Sequence, residues 1–102
     1  MRYKNFEWDD EKNKSNKLKH RISFEEATAV FEDTNAVTIY DEKHSDYEDR
    51  FLVIGFDLRT RHLAVCHCIR ENGDIIRIIS ARLATKIERK LYREENNIYY
   101  EN

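Results

Sequence analysis

The sequence predicts an α+β fold: two N-terminal helices, a four-stranded antiparallel meander sheet and a C-terminal helix. Three observations carry this. Two capping boxes, Ser23 with Glu26 and Thr85 with Glu88, mark helix starts on either side of the chain's middle. Between them lie four apolar, β-branched or aromatic segments joined by short polar connections. One connection carries Asn72-Gly73, the strongest short hairpin signal.

Each element follows in order. Phe6-Glu7-Trp8 is an extended or turn-like start. From Asp9 the chain reads as a helix, with Asp9, Asp10 and Glu11 in the first turn and Lys12, Lys14, Lys17 and Lys19 after them, an order that complements the helix dipole. Leu18 is its single large apolar residue, so this helix leans on Phe6 and Trp8; Arg21-Ile22-Ser23 breaks it. The Ser23 box opens a short amphipathic helix to about Glu32, with Phe24, Ala27, Val30 and Phe31 at helical spacing. Strands are expected at residues 37–40, 49–56, 62–69 and 75–81. A charged loop, 41–48, precedes the second strand, and 57–61 forms a hairpin loop before the third. The central strands are apolar on both faces, so each face needs a cover. The Thr85 box opens the last helix, with Ile87, Leu91 and Tyr92 as its stripe, fraying near Asn96-Asn97. Ile98-Tyr99-Tyr100 forms an aromatic patch after it.

Composition bounds the function. Leu, Ile, Val and Phe number 25 of 102 residues, above the ~20% below which a charged chain stays disordered. The length suits one domain, 1–102. No apolar run reaches the ~20 residues of a membrane span, and the N-terminus has no signal-peptide core, so a cytoplasmic location is expected. Only Gly55 and Gly73 are glycines, which excludes a glycine-rich phosphate loop. Cys66-His67-Cys68 lies in an expected strand; its two thiols share a face too far apart for a disulfide and lack metal-knuckle spacing, so core thiols, no metal and no cofactor are expected. Charge is unevenly spread: residues 1–49 carry 8 bases and 13 acids, residues 50–93 carry 10 and 4. Eight of those ten are arginine: Arg50, Arg59, Arg61, Arg70, Arg77, Arg82, Arg89 and Arg93. That block suits a polyanion.

A further set of residues carries a family likeness. In order, it comprises Phe6-Glu7-Trp8-Asp9 with Lys12 and Asn16, Lys19-His20, Ser23-Phe24-Glu25-Glu26-Ala27, and Val30-Phe31 with Asp33. There follow His44-Ser45, Glu48-Asp49-Arg50, Gly55 and Arg61. The most specific piece is Ile76-Arg77-Ile78-Ile79-Ser80-Ala81-Arg82, with Ala84, Glu88-Arg89 and Tyr92 behind it. Over about residues 6–93 the chain resembles the BrnT toxins of bacterial type II toxin–antitoxin systems. The resemblance implies a RelE-like toxin fold, RNA cleavage that arrests growth, and a cognate BrnA-type antitoxin whose DNA-binding domain lets the pair repress its own operon. Two positions depart from the family: Arg21 and Thr60 stand where glycine is usual.

The chemistry so implied is attack of a ribose 2′-hydroxyl on the neighbouring phosphate, without a metal. It needs a base, an acid and cations around the phosphorane. His44 and Glu48 are the candidates for proton transfer. Arg61, Arg77 and Arg82 are the candidate phosphate-gripping cations, each also readable as an ion-paired or surface arginine. Lys12 and Lys19, seven apart on one helix face, either track an RNA backbone or form a solvated face. Trp8 either stacks a base or packs on the first helix. Two rival readings use the same residues: a non-catalytic protein- or nucleic-acid-binding module built on the arginines, and a metal protein built on Cys66, His67 and Cys68.

Overall fold

A computed structural model describes residues 5–98, so the expected aromatic patch lies partly outside the described residues at Tyr99 and Tyr100. Among the described residues five strands form one sheet: β1 (Asn5–Glu7), β2 (Val37–Tyr40), β3 (Phe51–Phe56), β4 (His62–Arg70) and β5 (Ile75–Leu83). Three α-helices accompany them: α1 (Asp10–His20), α2 (Phe24–Ala27) and α3 (Lys86–Glu95). The strand order is β1-β5-β4-β3-β2. Strands β2 to β5 make the expected antiparallel meander. The expected count of four is corrected to five, because β1 adds to the β5 edge in parallel and makes the sheet mixed. Three residues are too few to show a strand period, which is why Phe6-Glu7-Trp8 read only as extended.

The N-terminal helices start where their side chains dictate. Asp9 caps α1, accepting from the backbone N–H groups of Glu11 and Lys12. Ser23 and Glu26 form the reciprocal capping box of α2, which is four residues long and runs on as a 3₁₀ turn through Glu32. Thr85 and Glu88 form the second box at α3.

Two layers cover the sheet. On one face Ile22, Phe24, Ala27 and Val30 pack with Val53, Leu63, Val65, Ile76, Ile78 and Ala81. Trp8 sits at the margin of this core, edge-on to Phe24 at 6.1 Å between ring centres, so packing is the role it fills. On the other face α3 sets Tyr92 and Leu91 against Ile54, Ala64, Val37 and Ile39. Asp33 clamps that helix: its Oδ2 accepts from the Tyr92 hydroxyl and from Phe56 N–H, each at 2.9 Å. Gly55 makes room, since a Cβ there would stand 3.0 Å from the same oxygen. No described helix is long and apolar enough to cross a membrane.

Strand β5 contains an irregularity with consequences for the site. Its register against β4 runs Cys66↔Ser80, then His67↔Ile78, leaving Ile79 unmatched. Such a bulge shifts the inward–outward alternation by one residue. The core residues of β5 record the shift, for Ile76 and Ile78 are buried and then Ala81 is. Just beyond, the buried Asn16 of α1 takes the place of a neighbouring strand. Its amide oxygen accepts from Ala81 N–H at 3.1 Å, and its amide nitrogen donates to Ala81 O at 2.8 Å and to Ile22 O at 2.9 Å.

Two stability predictions follow from this geometry. Asn16→Ala leaves three buried backbone groups without their partner, so chemical denaturation should show a loss of about 3 kcal/mol, at ~1 kcal/mol or more for each group; an unchanged midpoint and slope would refute the clasp. Arg21 and Thr60 both hold a left-handed backbone, with φ of 60° each. Arg21→Gly and Thr60→Gly should therefore each raise stability, by roughly 0.5–1 kcal/mol, with Thr60 the larger because β-branched residues tolerate this region least.

Candidate functional site

Helix α3 covers only part of its face. Below it, toward the end of β4, a cavity of about 150 Å³ opens on the sheet. Cys66 and Ser80 form its floor and Asp41, His44, Arg50 and Arg82 its rim. An adjoining hollow of about 210 Å³ shares His44 and Arg50 and adds Glu48 and Tyr47. Three of the expected site residues, His44, Glu48 and Arg82, thus border one cleft, together with Arg50 and Asp41.

Local structure explains each placement. Residues 42–44 form a single 3₁₀ turn that brings His44 back over Asp41. The loop is pinned at its base: Ser45 Oγ donates to Asp41 O at 2.6 Å and accepts from Arg50 N–H at 2.9 Å. His44 Nδ1 lies 2.9 Å from Asp41 Oδ2. A carboxylate can only accept, so Nδ1 carries the proton and Nε2 is left for other work. Asp41 is mostly enclosed, with 19% of its side chain exposed, whereas His44 is 59% exposed.

The arginines of the cleft are held by carboxylates. Arg82 makes a two-pronged pair with Glu88, 2.7 and 2.9 Å, which raises its guanidinium above the ordinary arginine value and holds the Glu88 carboxyl below its own. Glu88 is also the capping residue of α3, so one side chain fixes both the helix start and Arg82. Arg50 meets Glu48 at 3.5 Å, and its Nε is buried with no hydrogen-bond partner among the described residues. Arg77 lies further along the same face, opposite Cys68, and pairs with Glu7 at 2.9 Å.

Other expected residues lie elsewhere. Arg61 stands at the opposite end of β4, with the Asp57 carboxylate 2.7 Å away, Glu26 at 3.2 Å and Arg21 O at 3.1 Å. Asp57 is 1% exposed, so Arg61 neutralises a buried carboxylate remote from the cleft. Lys12 and Lys19 are exposed on α1 and border neither hollow. The thiols of Cys66 and Cys68 are buried and free. Burial, helped by Asp41, pushes Cys66 up to about 11, which makes it inert as a nucleophile near neutrality. His67 points to the other face, among Phe31 and Phe51, so Cys66, His67 and Cys68 do not converge on one ion.

Sequence reasoning missed Asp41 and the site role of Arg50. The signal for Asp41 was its spacing of three from His44, which one helical turn converts into contact. Arg50 stood among the eight arginines, and its place in Glu48-Asp49-Arg50, among the residues that carry the family likeness, was the signal that set it apart from Arg59.

The fold and cleft define a class: a small α+β protein with an imidazole–carboxylate pair and clustered guanidiniums on an open patch of sheet. Residues 8–88 match the sequence profile of the ribonuclease toxin BrnT of type II toxin–antitoxin systems, and the chain belongs to that family. Its fold is similar to that in the crystal structure of the Brucella abortus ribonuclease toxin BrnT, with 21% identity and a TM-score of 0.62 over 82% of this chain and all of that one. Comparison with curated proteins finds no significant match.

The Arg61 cluster yields a pH prediction. A hydrogen bond from the Ser23 backbone, reinforced by Arg61 against the opposing effect of burial, lowers Glu26 from 4.5 to about 2. A lowered carboxyl stabilises the fold above its unfolded value, and that contribution fades as pH falls through the folded one. Wild type should lose thermal stability relative to Glu26→Gln between about pH 4.5 and 2; parallel curves across that window would contradict the assignment.

Proposed function

We propose that this toxin is a metal-independent endoribonuclease whose 2′-hydroxyl chemistry takes place in the cleft between the 41–50 loop and β5. One observation carries the reading: a carboxylate-oriented imidazole and two guanidiniums border the same small hollow. The family's name as a ribonuclease toxin supports RNA as the target.

The steps follow from the side chains. His44 Nε2 accepts the 2′-hydroxyl proton while Asp41 steadies the imidazolium that results. The 2′ oxygen forms a bond to phosphorus, and the pentavalent centre gains negative charge. Arg82 and Arg50 border the hollow where that charge develops. The bond to the 5′ oxygen then breaks, and this leaving group takes a proton from the imidazolium or from water. The products are a 2′,3′-cyclic phosphate and a 5′-hydroxyl. Dependence on the 2′-hydroxyl makes the activity specific to RNA. Glu48, expected as a base, is engaged by Arg50 and Arg70 and serves as a positioning residue. Neutralisation in the cytoplasm falls to an antitoxin; the resemblance supports a BrnA-type partner that represses the operon with it through its own DNA-binding domain.

Purified protein incubated with RNA and a chelator should generate cyclic-phosphate ends. His44→Ala should cut about 10²–10⁴-fold more slowly, the range of a lost general base. Arg82→Ala should fall by roughly 10–10³-fold. Arg61→Ala should keep its rate per folded molecule while melting earlier. Intact RNA with wild type would leave a binding module in place of an enzyme, and full activity in His44→Ala would remove the imidazole from the mechanism.

A further inference from the structure

The cleft accounts for Arg50 and Arg82 but not for two other guanidiniums on the same face. Arg77 stands opposite Cys68 in the sheet register, and Arg70 lies two residues beyond Cys68 on β4, hence on the same side. Glu7, opposite Arg77 on β1, joins them: its Oε2 is 2.9 Å from Arg77 and 3.7 Å from Arg70. Arg70 in turn reaches Glu48 at 3.4 Å, and Glu48 meets Arg50 at 3.5 Å. A continuous row of alternating charge therefore runs from the cleft, by way of Glu48, to Arg70, Glu7 and Arg77.

The row is accessible and loosely tied. Arg70 and Arg77 have 47% and 32% of their side chains exposed, and three of the four ion pairs are 3.4 Å or longer. Pairs of that kind contribute little to stability, so a better anion exchanges with them readily. A phosphate is such an anion, since its oxygens match the guanidinium fork. Position matters as much as charge. Arg82 lies opposite Ala64 and Arg77 opposite Cys68. Four residues along β4 correspond to roughly 13 Å of backbone, and different carboxylates hold the two guanidiniums, Glu88 for Arg82 and Glu7 for Arg77. Helix α3 packs on the Ile54 and Ala64 end of this face, and at the Cys68 end Arg70 and Arg77 stay partly exposed, within reach of a strand lying in the cleft.

We propose that Arg70 and Arg77, oriented by Glu7, form a second phosphate subsite on the RNA path, separate from the scissile position. This inference rests on the nuclease reading of the cleft. It assigns Arg77, expected from sequence to act at the reacting phosphate, to a neighbouring one. It also recruits Arg70, which sequence reasoning did not single out. Glu7 acts as a positioning residue that keeps both guanidiniums on the open face.

Substrate length tests it. Oligonucleotides carrying a single ribonucleotide in a DNA strand give one cut site, either as a dinucleotide or with four further nucleotides on each side. Wild type should favour the longer substrate by about tenfold in kcat/KM, the factor that ~1.4 kcal/mol supplies. Arg70→Ala and Arg77→Ala should lose most of that preference, falling at least about fivefold further on the long substrate than on the dinucleotide. Arg77→Lys, which keeps a cation, should recover much of it. His44→Ala should slow both substrates equally. Affinity for a non-cleavable all-DNA strand, read by fluorescence anisotropy against salt, should lose about 0.7 in log–log slope with each arginine variant, the share of one single-strand phosphate. Equal losses on long and short substrates together with an unchanged salt slope would overturn the subsite. Failure of wild type to cut, with the arginine-dependent slope intact, would overturn the nuclease reading and keep the phosphate subsite.

Discussion

The site depends on one extra residue in β5. Arg77 and Arg82 are five apart, and in a regular strand an odd separation sends two side chains to opposite faces. The bulge at Ile79 adds a residue between them and returns both arginines to the face that carries the cleft. The same shift keeps Ile78 and Ala81 together in the opposite core, so the apolar layer enforces what the cleft requires. Asn16 secures the arrangement from the side. Strand β1 ends opposite Arg77, and from there the outer edge of β5 would expose bare backbone. The Asn16 amide pairs with Ala81 as a strand would, immediately before Arg82.

The second constraint is how little of the other face α3 covers. Its anchor is polar and lies near one end, with Tyr92 bound to Asp33 and Asp33 admitted only because position 55 lacks a side chain. The helix is capped by Thr85, two residues after β5 ends, and its capping glutamate is the partner of Arg82. Strand, turn and helix therefore meet at one carboxylate. The uncovered remainder of the face holds the 41–50 loop, whose hydrogen bonds through Ser45 keep His44 beside the sheet.

Local chemistry was legible in the sequence; parity and partner choice were not. Capping boxes at Ser23 and Thr85 and a meander over 37–81 follow from short-range rules, and all are present in the structure, with the last strand carried on to Leu83. Strand β1 escaped because three residues carry no period and its partner lies some seventy positions away. The bulge escaped because Ile78-Ile79 reads as unbroken apolar strand in either register. Among site residues, His44, Glu48 and Arg82 meet in the cleft because a loop and a strand end converge there. Arg61 does not, although it precedes a strand as plausibly as Arg82 follows one. Its destination was fixed by Asp57, four residues earlier, whose burial demanded a cation.

That contrast separates an arginine locked on a buried carboxylate from arginines whose partners stay in water. Arg61 is bound to a carboxylate that is shut away from water, and releasing it would strand a buried charge, a loss of several kcal/mol. Arg50, Arg70 and Arg77 face carboxylates that are themselves more than a third exposed, so parting from them leaves Glu7 and Glu48 hydrated. The partner's burial thus separates Arg61 from Arg50, Arg70 and Arg77, while Arg82, whose partner Glu88 is itself largely enclosed, reaches the hollow with its own guanidinium still partly exposed. Glu7 and Glu48 contribute even while they compete, because a guanidinium already oriented on the sheet loses less side-chain freedom when it exchanges one anion for another. Glu7 and Glu48 beside the cleft are therefore compatible with a bound polyanion, because both stay wet.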